Sequence, residues 1–370
     1  MSNNPIDNQK SKLRAFFLPI IIVIAIAIVL SSLTLEFYAN PLTPDVPEDI
    51  SPFPQNPEDT GGIFSGAILT MIFYVIFIFI AGFITLLIYK KGLMQFLMYF
   101  FAVAMGFSWF SFGVFYGWIF SVYIVEFLNS WWDYIPEIIQ GFFVFVFEDT
   151  VAVFSEVFVV YDIILLLFGI FLGFLGAFSF AVQSFDKLWL RNSMMIVFGP
   201  MIGSMLAIHF GLLTVFLILI GLSLYDIYAV FYGPLKGIID QSREDAKEVE
   251  EKLEKHEIDM SEVTTGPLMP ALPVYSTPLI NIGLGDFAFF SMLASAAVVV
   301  SYGLSTPIPL IMAVTGLLVG AYYTFQFLKE DRALPGLPLP IFGGITAMVV
   351  GILVVMIIDG VPLEAVFGLF

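Results

Sequence analysis

The stretch FGLLTVFLILIGLSLYDIYAVFYG occupies residues 210–233, and its one charged side chain is that of Asp226. Roughly 20 apolar residues in a helix cross the ~30 Å hydrocarbon core of a bilayer, and this run is long enough to do so. Similar runs recur along the whole chain, separated by short polar loops. The sequence therefore predicts an all-α, polytopic membrane protein.

Reading every apolar run in this way predicts nine transmembrane helices. The predicted spans are 14–37, 63–89, 93–125, 158–182, 188–206, 209–233, 277–301, 307–327 and 337–358. They divide the chain into a six-span bundle over 1–233, a charged cytoplasmic loop over 234–276 and a three-span bundle over 277–370. The first run, 13–35, is too long for a signal-peptide core and is interpreted as a retained span.

Composition supports this class of protein. Hydrophobic residues make up 59% of the 370 and charged residues only 12%, whereas a soluble domain carries about 25% charged residues. The chain has no cysteine and two histidines, which excludes thiolate catalysis and makes a histidine metal site improbable. We expect no metal, no cofactor and no nucleic-acid partner, and we expect the protein to be integral to the membrane.

The positions of the cations predict the orientation. All fourteen Lys and Arg fall in a few clusters that alternate with purely acidic loops. Because short loops rich in Lys and Arg stay in the cytoplasm, the N-terminus is predicted to be cytoplasmic and the C-terminus external.

Two regions are harder to interpret. Residues 126–157 mix aromatic and acidic side chains in apolar stretches too short to cross; helices lying in the outer interface are favoured over a re-entrant segment. Residues 241–262 alternate Glu, Asp and Lys and cannot bury a core, so a mobile linker is favoured over a short solvated helix. Residues 266–278 contain four prolines and predict an extended approach to the seventh span.

Two carboxylates lie inside predicted spans, Asp226 in the sixth and Asp286 in the seventh. An acid at the centre of a membrane helix costs ~2.5 to 3.5 kcal/mol on insertion scales, and such acids are usually functional. Asp226 is eight residues before Pro234, and Asp286 is nine residues after Thr277, at the start of the antiparallel return. At 1.5 Å per residue both lie about 12 to 14 Å from the inner boundary, so neighbouring helices could bring them together.

Such a pair fits peptide hydrolysis. Two carboxyls that share a site of low dielectric constant cannot both ionise cheaply, so one keeps its proton while the other acts as a base. The base takes a proton from water as the water attacks the scissile carbonyl, and the protonated carboxyl stabilises the oxyanion and supplies the leaving amine. Gly283 and Gly285 lack side chains just before Asp286 and would let another backbone approach, although this pattern alone indicates ordinary helix packing.

These motifs resemble the presenilin and signal peptide peptidase family of GxGD intramembrane aspartyl proteases. The resemblance rests on Tyr225-Asp226 in the sixth span, Gly283-Leu284-Gly285-Asp286 in the seventh and Ala333-Leu334-Pro335 before the ninth. It implies that Asp226 and Asp286 are catalytic and that transmembrane segments of other proteins are the substrates. It further implies that Ala333, Leu334 and Pro335 help to bind them. We also expect Tyr225, Gly283, Leu284 and Gly285 to contact substrate.

The chain departs from the family pattern at two places. Arg332 stands where the family has the first proline of a Pro-Ala-Leu-Pro element, and a literal Pro-Ala-Leu-Pro occurs at 270–273, before the seventh span. Position beside the ninth span favours the element at 333–335. A second Tyr-Asp, Tyr161-Asp162, begins the fourth span at the opposite edge, too far from Asp286 to pair with it.

Two functions other than proteolysis could also explain intramembrane acids in a helical bundle. A cation or proton transporter, or a channel, would also use intramembrane acids, but it predicts an internal repeat that is not evident. A noncatalytic protein that holds transmembrane helices is a third reading, which the intact pair of aspartates disfavours. The cytoplasmic N-terminus resembles presenilin more than signal peptide peptidase, and the lack of cysteine fits a microbial, archaeal-type homologue. Homo-oligomers and accessory subunits are left open.

Overall fold

A computed structural model describes residues 5–39, 60–91, 93–131, 158–181, 188–233, 274–276, 281–327 and 335–361. Over these ranges the chain forms nine helices and one two-stranded sheet. The helices are α1 (Pro5–Ala39), α2 (Thr60–Lys90), α3 (Met94–Trp131), α4 (Phe158–Ala181), α5 (Leu188–His209), α6 (Leu212–Phe231), α7 (Leu284–Gly303), α8 (Ile308–Phe327) and α9 (Pro338–Asp359). The strands are β1 (Val274–Ser276) and β2 (Asn281–Gly283).

The predicted class of fold is confirmed. Eight of the described helices are long and apolar enough to cross a membrane, and α4, with 24 residues, contains a shorter apolar segment over 165–179. Helices dominate because lipid offers the backbone no hydrogen-bond partners, so each segment must satisfy its own N–H and C=O groups. The protein is therefore an integral, multi-pass membrane protein.

Two predicted span boundaries were wrong. Helix α3 continues through Trp131, so the first residues of the region predicted as interfacial extend a spanning helix instead. The rest of 126–157 lies outside the described residues, as does most of the loop over 234–276. Helix α7 begins at Leu284 rather than at 277, because Asn281–Gly283 pairs as a strand with Val274–Ser276. Glycine and proline are the poorest helix formers, and Pro278, Gly283 and Gly285 crowd this segment.

Helix α7 lies at the centre of the bundle. It contacts α1, α5, α6, α8 and α9, and 67% of the residues in its most apolar stretch are buried. Most of its buried residues are Ala, Ser and Val, which occupy little space. Small side chains allow helices to approach closely, and in a membrane van der Waals packing between such surfaces drives association. The helix that carries Asp286 is therefore the most enclosed part of the described structure.

Glycines line the closest helix crossings. Gly199 and Gly203 of α5 face α7, and a Cβ at Gly199 would lie 2.6 Å from Cβ of Phe287. Gly316 and Gly320 of α8 lie against the backbone of α9 in the same way. Each pair is a Gly-x-x-x-Gly pattern on one helix face, the spacing that lets two backbones meet. These crossings fix α7 and α9 relative to their neighbours.

Helix α2 is packed very differently. It contacts mainly α6, and only 12% of the residues in its most apolar stretch are buried. Many of its large side chains are exposed in the absence of lipid, and those of Phe77 and Ile76 are more than half exposed. Such an apolar surface suits the hydrocarbon of a bilayer, so α2 lies at the edge of the bundle beside the helix that carries Asp226.

Candidate active site

Asp226 lies in the last third of α6 with its carboxyl partly buried. Its Oδ2 accepts a hydrogen bond from the backbone N–H of Leu337 at 3.1 Å, and the backbone N–H of Gly336 also donates to this carboxyl. Leu337 is the residue immediately before α9. The first N–H groups of a helix have no partner within the helix, and a carboxylate is a favourable acceptor for them. Asp226 therefore ties α6 to the beginning of α9.

Asp286 lies in the first turn of α7, three residues after the strand residue Gly283. Its Oδ2 accepts a hydrogen bond from the backbone N–H of Gly283 at 3.2 Å. This capping bond holds the carboxyl at the helix N-terminus, where the helix dipole also favours a negative group. The strand β2 and the helix α7 thus position Asp286 from both sides.

Both carboxyl groups lie beside the dipeptide Gly336–Leu337. A Cβ placed on Gly336 would lie 3.4 Å from Asp286 Oδ1 and 3.5 Å from its Oδ2, while the next residue donates its N–H to Asp226. The path through this dipeptide limits the separation of the nearest carboxyl oxygens to about 11 Å. The structure therefore brings together two acids that are far apart in sequence.

The hairpin before Asp286 is fixed by an aromatic contact. The ring of Tyr275, on β1, packs edge-on against the ring of Phe287 with centroids 5.7 Å apart. Burial raises the pKa of the Tyr275 phenol above its ordinary value, and its hydroxyl is protonated at neutral pH even without this shift. Because β1 also packs on α5, the strands are held at the base of α7 next to the carboxyls.

The other predicted site residues are placed as follows. Gly283 caps α7, Leu284 begins it and Gly285 is exposed beside Asp286. Tyr225 points toward α2, where its ring contacts that of Phe79 at 6.2 Å. Its predicted contact with substrate remains a prediction.

The element beside the ninth span is described only in part. Pro335 is partly buried immediately before Gly336, whereas Ala333 and Leu334 lie outside the described residues. Gly336 and Leu337 were not predicted as site residues, because they contact the carboxyls through their backbone and not through a side chain. Their signal in the sequence is a glycine and a Leu-Pro step directly before a helix, where unpaired N–H groups are expected.

Among the residues that the structure describes, no group of three or more His, Asp or Glu side chains could hold a metal ion. The two aspartates have backbone amides as their hydrogen-bond partners, and two carboxyls close together can divide the acid and base roles of hydrolysis between them.

Fold and site together define a class: a polytopic helical membrane protein with two acids close together, one on each of two neighbouring helices. A comparison with protein families matches residues 7–254 to the family described as Presenilin, well over half of the chain. The chain belongs to the presenilin family, whose members are intramembrane aspartyl proteases. The matched range includes Asp226 and ends before Asp286.

A curated relative agrees with this assignment. Presenilin-B of Dictyostelium discoideum is 30% identical over 184 residues, which cover 47% of this chain and 32% of that protein. The match therefore spans about a third of the length of that relative.

Proposed function

We propose that this chain is an aspartic endopeptidase that hydrolyses peptide bonds within transmembrane segments of other membrane proteins. The observation that carries the proposal is the convergence of Asp226 and Asp286 on the dipeptide Gly336–Leu337. Acids of two separate helices rarely share so enclosed a position in a membrane protein without a functional reason. Membership of the presenilin family supports the same reaction.

The proposed mechanism uses water as the nucleophile. One carboxylate takes a proton from water while the water oxygen bonds to the scissile carbonyl carbon. The other carboxyl, still protonated, hydrogen-bonds the carbonyl oxygen as it becomes an oxyanion. The tetrahedral intermediate then breaks its C–N bond, and a proton passes from the carboxyl pair to the leaving amine. The products are a carboxylic acid and an amine, which become a carboxylate and an ammonium group when the acid gives its proton to the amine, and the pair returns to its single shared proton.

The hairpin supports a mode of substrate binding. A helical peptide bond is shielded by its own hydrogen bonds, so a transmembrane substrate must unwind locally before attack. Within the described residues β1 and β2 form a two-stranded sheet, so each strand pairs along one edge. An extended segment could add to a free edge of this sheet, as many peptides do to sheet edges. Because Asp286 follows β2 by three residues, such a segment would lie near the carboxyls.

The first test is the loss of cleavage on replacing either acid. Purified protein in liposomes is given a single-span reporter, and wild type is compared with Asp226→Asn and Asp286→Asn. Asparagine keeps the shape and can accept the same backbone hydrogen bonds, but it cannot carry a proton between water and amine. We expect each variant to lose at least about 100-fold in rate, the range measured for acid–base groups.

Asp359→Asn is the matched control, because Asp359 is an exposed acid at the far end of α9 and should be dispensable. All three variants should keep the thermal unfolding temperature of the wild type within a few degrees. If Asp226→Asn or Asp286→Asn keeps more than a tenth of the wild-type rate, the proposed role of these acids in activating water is wrong. Cation or proton flux that depends on both acids, without cleavage, would instead support the transporter reading.

A further inference from the structure

The hydroxyl of Tyr116, on α3, forms a buried hydrogen-bond cluster with α5. It lies 2.5 Å from Oγ of Ser204 and 3.1 Å from the carbonyl oxygen of Met201, and the tyrosine is 3% exposed. Each hydroxyl has one hydrogen, so when Ser204 donates to the carbonyl oxygen of Pro200 at 2.6 Å, Tyr116 donates to Ser204, and the carbonyl of Met201 is the alternative acceptor for Tyr116. A buried tyrosine hydroxyl normally finds a partner, so one bond alone would be unremarkable. Here the bonds converge on a single turn of α5.

That turn is the weakest part of α5. Pro200 has no backbone N–H and cannot donate to the carbonyl of Ile196, so the helix loses one of its own bonds there. Gly199 and Gly203 flank the proline, and glycine in a helix interior costs about 1 kcal/mol relative to alanine. The chain thus places three poor helix residues within five positions. The bonds from Tyr116 and Ser204 fall on this same stretch.

The same turn forms the contact with α7. Gly199 lies against Cβ of Phe287, and Gly203 lies against the carbonyl of Ala288 and Cβ of Ser291. Phe287 directly follows Asp286 and is fully buried. These contacts leave no room for a side chain on either glycine, so a shift of α5 moves the backbone that carries Asp286.

We propose that Tyr116 is a positioning residue for the reaction: through Ser204 and Met201 it fixes the Pro200 turn of α5, which holds the first turn of α7 and so places Asp286. The proposal rests on the protease function proposed above. It adds a residue of α3 to the groups on which catalysis depends, although Tyr116 contacts neither aspartate in the described contacts. The expected effect is on the rate of the chemical step and not on substrate affinity.

The chain offers a matched control on the same helix. Tyr123, seven residues after Tyr116, also donates its hydroxyl to a backbone carbonyl, that of Leu33 on α1, at 2.5 Å. That bond joins α3 to α1 and does not involve the Pro200 turn. Tyr116→Phe and Tyr123→Phe therefore each remove one hydroxyl of the same kind. Any general loss of packing or stability should be similar in the two variants.

The experiment measures cleavage of a single-span reporter and backbone hydrogen exchange in parallel. We expect Tyr116→Phe to lower kcat about 10-fold with KM unchanged, and Tyr123→Phe to change kcat less than twofold. Exchange over residues 196–204 and 284–290 should become faster in Tyr116→Phe only. The double variant Tyr116→Phe/Ser204→Ala should be no slower than Tyr116→Phe by more than about twofold, because both side chains belong to one network.

The two readouts separate the possible failures. If the wild type does not cleave the reporter, the proposed function fails, while the exchange data still test the link between Tyr116 and α7. If Tyr116→Phe matches Tyr123→Phe in both rate and exchange, the positioning role is wrong. A rise in KM with kcat unchanged would also overturn it, since that result indicates a contact with substrate.

Discussion

Helices α2 and α7 are both apolar enough to cross a membrane, yet their surroundings are opposite. In the most apolar stretch of each helix, 67% of the residues are buried in α7 and 12% in α2. Helix α7 meets its neighbours through Gly, Ala and Ser, whereas α2 meets α6 through large rings such as Phe79 against Tyr225 and Tyr228. Asp286 therefore lies on a closely packed central helix, whereas Asp226 lies on a helix that packs on one side against the largely exposed α2.

The largest expected contrast comes from truncating one aromatic in each region. Phe287→Ala should destabilise the protein by about 4 kcal/mol, because a fully buried ring leaves a cavity that the glycine-lined crossing cannot fill. Phe79→Ala should cost only about 1 kcal/mol, since that ring is 39% exposed and lipid can replace it. Thermal or denaturant unfolding in detergent measures both. Equal losses would show that α2 is packed as firmly as α7.

A glycine-to-alanine pair sharpens the same comparison at smaller cost. A Cβ at Gly203 would press on the backbone of Ala288 and Met292 in α7, so Gly203→Ala should destabilise by about 2 to 3 kcal/mol. A Cβ at Gly221 would instead meet side chains of α2 and no backbone: Met71 at 2.9 Å and a methyl group of Val75 at 3.1 Å.

The thioether of Met71 can turn aside, and alanine favours the helix, so Gly221→Ala should be neutral or slightly stabilising. The same unfolding measurement compares the two variants. A clear loss of stability in Gly221→Ala would mean that α2 cannot yield to a single methyl group.

A small effect on stability is also expected at Gly336, which lies beside both carboxyl groups. Its Cβ would stand at ordinary contact distance, 3.4 to 3.6 Å, from the carboxyl of Asp286, so Gly336→Ala should fold normally. The added methyl would nevertheless occupy space beside the carboxyl, where the proposed mechanism requires water or the scissile carbonyl to bind. We expect cleavage of the reporter to fall about 10-fold, with unfolding unchanged. Full activity in this variant would place the reacting groups on the other side of Asp286.

Much of the fold could be predicted because lipid imposes simple rules. The length of each apolar run predicted nine helices, and the cost of intramembrane acids singled out Asp226 and Asp286 from 31 acidic residues. The order and depth of these runs also indicated that the two acids could meet. The cytoplasmic N-terminus and external C-terminus remain predictions from the distribution of cations.

What the sequence did not reveal depends on tertiary contacts. Strand β2 replaced the predicted start of α7 because three residues at 281–283 found a partner strand, which apolar periodicity cannot show. Gly336 and Leu337 act through their backbone, so no side-chain motif indicates them. The Gly-x-x-x-Gly spacing at 199 and 203 was visible in the sequence, but only the structure shows that it faces the residue after Asp286.

The central place of α7 has a consequence for biogenesis. A ribosome delivers helices to the membrane in chain order, so six described helices are made before the one that fills the middle. Helices α1 and α5 touch each other and both also contact α7, so the surfaces that they present to α7 have no partner until α7 is made. The centre of the bundle is therefore filled only when the last quarter of the chain, from residue 284 onward, is made.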